Sequence, residues 1–159
     1  MVTLTAMNTC LADLYSTHRA DASEHELLRL TFGLACVDRV KHLLEEPQAM
    51  DCLAVLQAYL QGRADQASLQ RASAEVSRIA NSHRGSGSID GSAHAAVSAT
   101  YAVANALQGR ALDAAAYAAY ASVYAYGGYA INDPASFDDE FTWQVGKFRE
   151  LTGFGGEAG

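Results

Sequence analysis

The feature that most constrains this chain is a long alanine-rich segment that is almost free of charge. Between positions 89 and 133 the charged residues are Asp90, Arg110, Asp113 and Asp133, and alanine is the dominant apolar residue. Alanine has the highest helix propensity, and small side chains let helix axes approach closely. Runs of β-branched and aromatic residues, which are typical of strands, are missing. The segment therefore predicts two helices, at 92–108 and 111–126, that form the central hairpin of an all-α fold.

Apolar residues at helical spacing predict amphipathic helices around this hairpin. The predicted ranges are 4–17, 23–46, 49–61, 65–81 and 137–152. Pro47 suits the first turn of the third helix, and Gly62 suits its C-terminal cap. Ser23 and Glu26 predict a capping box, and Ser136 predicts a cap for the last helix. We therefore expect a helical bundle of about six or seven helices.

The length and composition fit one domain. The chain has 159 residues, half of them hydrophobic, which is enough for a core without disulfide or metal support. We expect a single all-α domain at 1–152, in which a flexible loop at 82–88 (SHRGSGS) separates two helical halves, and a flexible tail at 153–159. No signal peptide or membrane span is predicted, which leaves a cytoplasmic location by elimination.

The net charge restricts the partners. It is −7, from 18 acidic and 11 basic residues. An acidic chain is a poor binder of nucleic acid or of anionic membranes, and we expect neither. It is compatible with a basic protein partner, although acidity is also the ordinary charge of many soluble proteins.

Cysteine and histidine give no metal or cofactor site. The three cysteines, Cys10, Cys36 and Cys52, are widely spaced in apolar helical contexts, which favours buried thiols. The five histidines lack metal-ligand spacing, and no Glu-x-x-His occurs. We therefore predict no cofactor, no metal and no catalytic residues.

One spacing leaves an enzymatic alternative open. Arg78 and His83 are separated by four residues at a predicted helix end. This segment looks like the Arg-x4–6-His motif of HEPN-type nucleases, in which arginine stabilises phosphate charge and histidine acts as acid or base. A small helical ribonuclease is therefore an alternative function, and a solvated arginine beside a loop histidine is the simpler interpretation.

Tyrosines in the alanine-rich half allow a second alternative. Tyr117, Tyr120 and Tyr124 fall on one stripe of the sixth predicted helix. Such a stripe either fills the core or forms a face through which the chain self-associates as a regulatory module. We favour the core, and expect a monomer or weak homodimer.

The candidate partner-binding residues are aromatic or acidic and lie at the end of the sixth helix or after it. Exposure is favoured at the helix end, and an aromatic anchor beside acidic groups suits a basic partner. The candidates are Tyr126, Tyr129, Asp138, Asp139, Glu140 and Trp143.

The order of helices and small residues resembles a known family. The carrying segments are the helix with LACVDRVKHLL at 34–44, the proline and the helix ending in LQG at 60–62, and AHAA at 93–96, YAVANA at 101–106 and AAAYAAY at 114–120. Over 27–130 the chain is similar to the helical immunity proteins of bacterial polymorphic toxin systems, in the fifth numbered immunity family. The residues carried over, without an assigned role, are Cys36, Asp38, Arg39 and His94. The tyrosine-rich sixth helix and the acidic last helix depart from the family pattern.

The resemblance implies a non-enzymatic protein that binds and neutralises a cognate toxin. Inhibition would follow from direct contact that covers the active site of the toxin or blocks its partner. An immunity protein is therefore the favoured function.

Overall fold

The architecture is all-helical, as predicted. The computed structural model describes residues 8–82, 92–127, 130–131 and 133–153, and this part of the chain contains seven α-helices and no strand. The helices are α1 (Thr9–Thr17), α2 (Glu26–Asp38), α3 (Pro47–Leu60), α4 (Gln66–Ser82), α5 (Ser92–Leu107), α6 (Ala111–Tyr126) and α7 (Asp138–Leu151). Short 3-10 helices cover Ser23–His25, Lys41–Leu43 and Pro134–Phe137.

Several predicted helix ends are confirmed. The sixth helix has the predicted range, and Pro47 occupies the first turn of α3. Gly62 and Gly109 follow α3 and α5 with φ of 77° and 75°, a backbone conformation that favours glycine. Asp65 immediately precedes α4, and its carboxylate accepts a hydrogen bond from the amide of Ser68 in the first turn at 2.8 Å. The predicted loop at 82–88 and tail at 153–159 lie outside the described residues, except for Ser82 and Gly153.

Other predicted boundaries are wrong. The first helix begins at Thr9 rather than at 4, because the side chain of Asn8 caps it by accepting from the amide of Leu11. The predicted capping box at Ser23 is replaced by a 3-10 turn without a side-chain cap. The second helix ends at Asp38 rather than at 46. Arg39 is its C-terminal cap, and a 3-10 helix follows at Lys41–Leu43. Asp133, and not Ser136, provides the side-chain cap before the last helix.

Small buried residues are frequent where α5 and α6 meet. The most extensive packing between helices joins α5 and α6, whose alanines are mostly buried. α5 also contacts α2, α3 and α4, while α6 contacts α2 and α7. The central position of the alanine-rich hairpin stays a prediction. Larger side chains pack between α2 and α7, where the rings of Phe32 and Phe148 have centroids 5.3 Å apart.

A smaller apolar cluster supports the segment between α6 and α7. Tyr120 and Phe137 pack with ring centroids 5.2 Å apart, and Phe137 packs on Phe141 at 5.5 Å. Val123 and Ala130 are buried in the same cluster. This cluster fixes the 3-10 turn at Pro134–Phe137 against α6, and so positions the surface described next.

Within the described ranges, no helix has the length and apolar character needed to cross a membrane.

Candidate functional site

The candidate site is a surface cleft at the junction of three elements. It lies between the end of α6, the 3-10 turn before α7 and the first turn of α7, with Arg39 reaching in from the end of α2. Its volume is about 540 Å³. The lining residues are Arg39, Ser122, Val123, Tyr126, Asp133, Ala135, Ser136, Asp139 and Glu140. The cleft is open, so a protruding group of another molecule can enter it.

Local sequence explains how the cleft forms. α6 ends at Tyr126, before Gly127. The carboxylate of Asp133 then accepts from the amide of Ala135 at 3.1 Å, and Pro134 starts the 3-10 turn. Because Phe137 at the end of this turn is buried, the turn stays against the body and α7 starts directly behind it.

The wall of the cleft contains an ion pair stacked on an aromatic ring. The Nε of Arg39 donates to Oε2 of Glu140 at 2.9 Å and to Oε1 at 3.1 Å. Its guanidinium carbon lies 4.1 Å from the ring centroid of Trp143. The Glu140 side chain is 7% exposed and that of Arg39 is 39% exposed. Arg39 therefore offsets the cost of burying the Glu140 carboxylate and covers Trp143 by a cation–π contact.

The remaining charge of the cleft is negative. Arg39 and Glu140 neutralise each other, which leaves the carboxylates of Asp133 and Asp139, both exposed. Asp138 is also exposed and adjoins the cleft without lining it. A positively charged group is therefore the electrostatically favoured occupant.

Tyr126 separates this cleft from a second one. It is 79% exposed, more than Leu27 or Met50, the other large exposed apolar side chains of the described residues. The second cleft, also of about 540 Å³, is lined by His42, Leu43, Leu44, Glu45, Ala95, Tyr124, Ala125, Tyr126 and Gly127. The result is an aromatic ridge between two concavities, a shape suited to a protein partner. We call Tyr126 and the two clefts the Tyr126 surface.

The predicted binding residues are partly brought together. Tyr126, Asp139 and Glu140 line one cleft, while Trp143 lies beneath Arg39. Glu140 is internal and paired, so its part in the site is to hold Arg39. Tyr129 lies outside the described residues. Sequence reasoning carried Arg39 over from the family resemblance but did not pair it with Glu140, because the two are 101 positions apart.

The residues of the alternative functions are placed elsewhere. Arg78 forms an exposed ion pair with Glu75 at 2.7 Å, and His83 lies outside the described residues. Of the tyrosine stripe, Tyr120 is buried, as expected of a core residue. Tyr117 and Tyr124, both partly buried, stack on other rings of the same chain.

The other three residues carried over from the family resemblance each pack against or pair with neighbouring residues of the fold. Asp38 pairs with Lys41 at 3.4 Å, and the ring of His94 stacks on Tyr124 at 5.1 Å. Cys36 is fully buried, and burial raises the pKa of its thiol, with a further increase from the Glu140 carboxylate. The thiol therefore stays protonated at neutral pH and is a poor nucleophile. In the described residues, no group of three or more histidine, cysteine or acidic side chains is arranged to hold a metal ion.

A family model described as "Imm-5 like putative immunity protein" matches residues 19–151, most of the chain. No curated protein and no solved structure matches.

Proposed function

We propose that this chain, which belongs to the Imm-5 like family of immunity proteins, neutralises a cognate toxin by binding it through the Tyr126 surface. The observation that carries the proposal is the 79% exposure of Tyr126 on a ridge between two clefts. Family membership supports the class of function, and the shape and charge of the surface support the proposed place of contact.

The aromatic ridge supports a tight interface. Tyrosine is among the residues that contribute most to binding when they are desolvated at the centre of an interface. Tyr126 is in the last turn of α6, and Val123, one turn earlier, is buried in the cluster with Tyr120 and Phe137. Its backbone is therefore held in place before binding, which lowers the conformational entropy lost on association.

The charge supports a basic contact region on the toxin. Asp133 and Asp139 are exposed in the lining of a cleft whose other charges cancel. A lysine or arginine of the toxin entering the cleft would meet these carboxylates and the ring of Tyr126. Binding that covers a toxin in this way needs no chemistry from the immunity protein.

The first test is co-expression of the tagged chain with the product of the neighbouring gene, taken as the toxin. We expect that product to arrest growth alone, and to be harmless and to co-purify when this chain is present. Replacement of the anchor, Tyr126→Ala, should weaken the complex by about 30-fold or more, as expected of a central aromatic contact. Leu27→Ala, which truncates an exposed apolar side chain of α2 outside both clefts, is the matched control.

The charge is tested separately. Asp139→Lys should lower the association rate and its dependence on salt, while Asp51→Lys, the same change at an exposed position of α3, should have a smaller effect. Equal affinities for Tyr126→Ala, Asp139→Lys and the two controls would refute binding through the Tyr126 surface. A neighbouring product that is neither toxic nor bound would refute that assignment of the toxin.

A further inference from the structure

A cavity separate from the Tyr126 surface lies between α1, α6 and α7. It shares no lining residue with the two clefts of that surface. Its volume is about 220 Å³, and its walls are mainly apolar. Leu11 of α1 and Phe141 of α7 form part of the lining. The space is partly open to solvent, because the exposed Asp113 is also part of its lining. A small molecule can therefore enter it.

Small side chains create the space. Ala12 of α1 and Ala115 and Ala116 of α6 line the cavity where three helices meet. A cavity of about 150 Å³ lined by apolar side chains is enough to bind benzene.

The lining also contains a buried carboxamide with unused hydrogen-bonding capacity. Gln144 is completely buried. Its Oε1 accepts from the Nδ2 of Asn8 at 3.2 Å, and its Nε2 donates to the carbonyl of Ala115 at 2.9 Å. The second N–H of Nε2 and a second lone pair of Oε1 have no partner among the residues that the structure describes. A buried polar group left in this state lowers stability unless a bound molecule or water satisfies it.

We propose that this cavity binds a small, mostly apolar molecule that carries one hydrogen-bonding oxygen, the size of a phenol. The apolar body packs between Leu11 and Phe141, beside the alanines. The oxygen accepts a hydrogen bond from the remaining N–H of Gln144. Both features of the cavity, the mainly apolar walls and the unsatisfied amide, are then used by one ligand.

The test uses the isolated full-length chain and two probes of similar shape, phenol and toluene, with binding followed by ligand-observed NMR and by thermal shift. Both probes should bind the wild-type chain, with phenol tighter by about threefold to tenfold, the range expected of one neutral hydrogen bond. Gln144→Met keeps the volume and should remove the preference for phenol.

A second variant keeps the test decisive if Gln144→Met does not fold. Ala116→Leu places a larger side chain in the wall of the cavity and should abolish binding of both probes. Ala54→Leu, at an exposed position of α3 outside the cavity, should leave binding unchanged. The proposal is overturned if neither probe binds the wild-type chain, or if Ala116→Leu binds both as well as wild type. Equal affinity for phenol and toluene would overturn the role of Gln144. No toxin takes part, so these outcomes do not depend on the proposed function.

Discussion

The close approach of α2 and α5 determines whether Gly33→Ala raises or lowers the free energy of unfolding. Gly33 is buried in α2, and a Cβ added there would lie 3.2 Å from the Cβ of Ala106 and 3.3 Å from its Cα. Both distances are shorter than ordinary van der Waals contact. Ala106 is itself fully buried, and α5 is packed on α3, α4 and α6 as well as on α2. α5 therefore cannot move away from Gly33→Ala without disturbing its other contacts.

The magnitude follows from two opposing terms. Replacing glycine by alanine in the middle of a helix favours folding by about 0.8 to 1 kcal/mol. An extra carbon forced into a packed core costs about 1 to 3 kcal/mol. We therefore expect Gly33→Ala to lower the free energy of unfolding by about 1 kcal/mol, and the Tm by about 2 to 4 °C for a chain of this size.

Gly146 provides the matched control. It is exposed in the middle of α7, and a Cβ added there would have no atom within 4 Å. Gly146→Ala should gain only the higher helix propensity of alanine, and so raise the free energy of unfolding by about 0.5 to 1 kcal/mol. The measurement is urea unfolding followed by circular dichroism at pH 7. The two glycine-to-alanine changes should then have opposite signs.

A double mutant isolates the contact. Adding Ala106→Gly to Gly33→Ala removes the opposing methyl group, so the pair should be less destabilised than the sum of the two single changes. If Gly33→Ala is as stabilising as Gly146→Ala, or if the two changes at 33 and 106 are additive, then α2 and α5 are not as close as described and the reasoning fails.

Two further predictions concern buried charge and buried thiol. Arg39→Met should lower the free energy of unfolding by about 2 to 3 kcal/mol, because it leaves the buried carboxylate of Glu140 unpaired. Glu140→Gln should lower it by only about 1 to 2 kcal/mol, because water can reach the arginine that remains. Equal costs in urea unfolding would contradict this order. Cys36 should resist thiol reagents in the folded chain, whereas Cys10, which is exposed and not buried as its apolar helical context predicted, should react. Burial raises the pKa of Cys36 above its ordinary value of 9.0, so above that pH the folded state holds a proton that the unfolded state has lost. The free energy of unfolding should therefore fall as pH rises above about 9, and fall less steeply in Cys36→Ala; an unchanged slope would count against the raised pKa.

The helices could be predicted from the sequence because their signals are local. Apolar spacing, alanine content and breaks at Pro47, Gly62 and Gly109 are all visible along the chain. The observed ends of the sixth helix agree with the predicted ones. The end of the second helix was not, because the apolar residues that follow Arg39 keep a spacing of three to four. Val40 is buried whether the chain continues as an α-helix or turns through a 3-10 helix, so the pattern does not distinguish the two.

The candidate site was only half predictable for a different reason. The exposure of Tyr126 follows from its place at a helix end beside glycine, which is local information. The surroundings of Glu140 are not local, since its partner is on another helix and far away in sequence. The acidic first turn of α7 looked like one uniform group, yet Asp138 and Asp139 are exposed and Glu140 is buried. Only the three-dimensional packing separates them.

These long-range polar contacts compensate for a weakness of an alanine-rich core. Rows of methyl groups on α6 give a smooth surface, and such a surface resists sliding of a neighbouring helix less than interlocking large side chains do. Directional contacts define the position of α7 instead. Gln144 donates to the carbonyl of Ala115 on α6, Glu140 accepts from Arg39 at the end of α2, and Asn8 donates to the carbonyl of Phe141. Because α7 presents Asp139 to the cleft, the contacts that fix its register also fix where the acidic wall stands relative to Tyr126. The shape of the Tyr126 surface thus depends in part on polar contacts between helices that are distant in sequence.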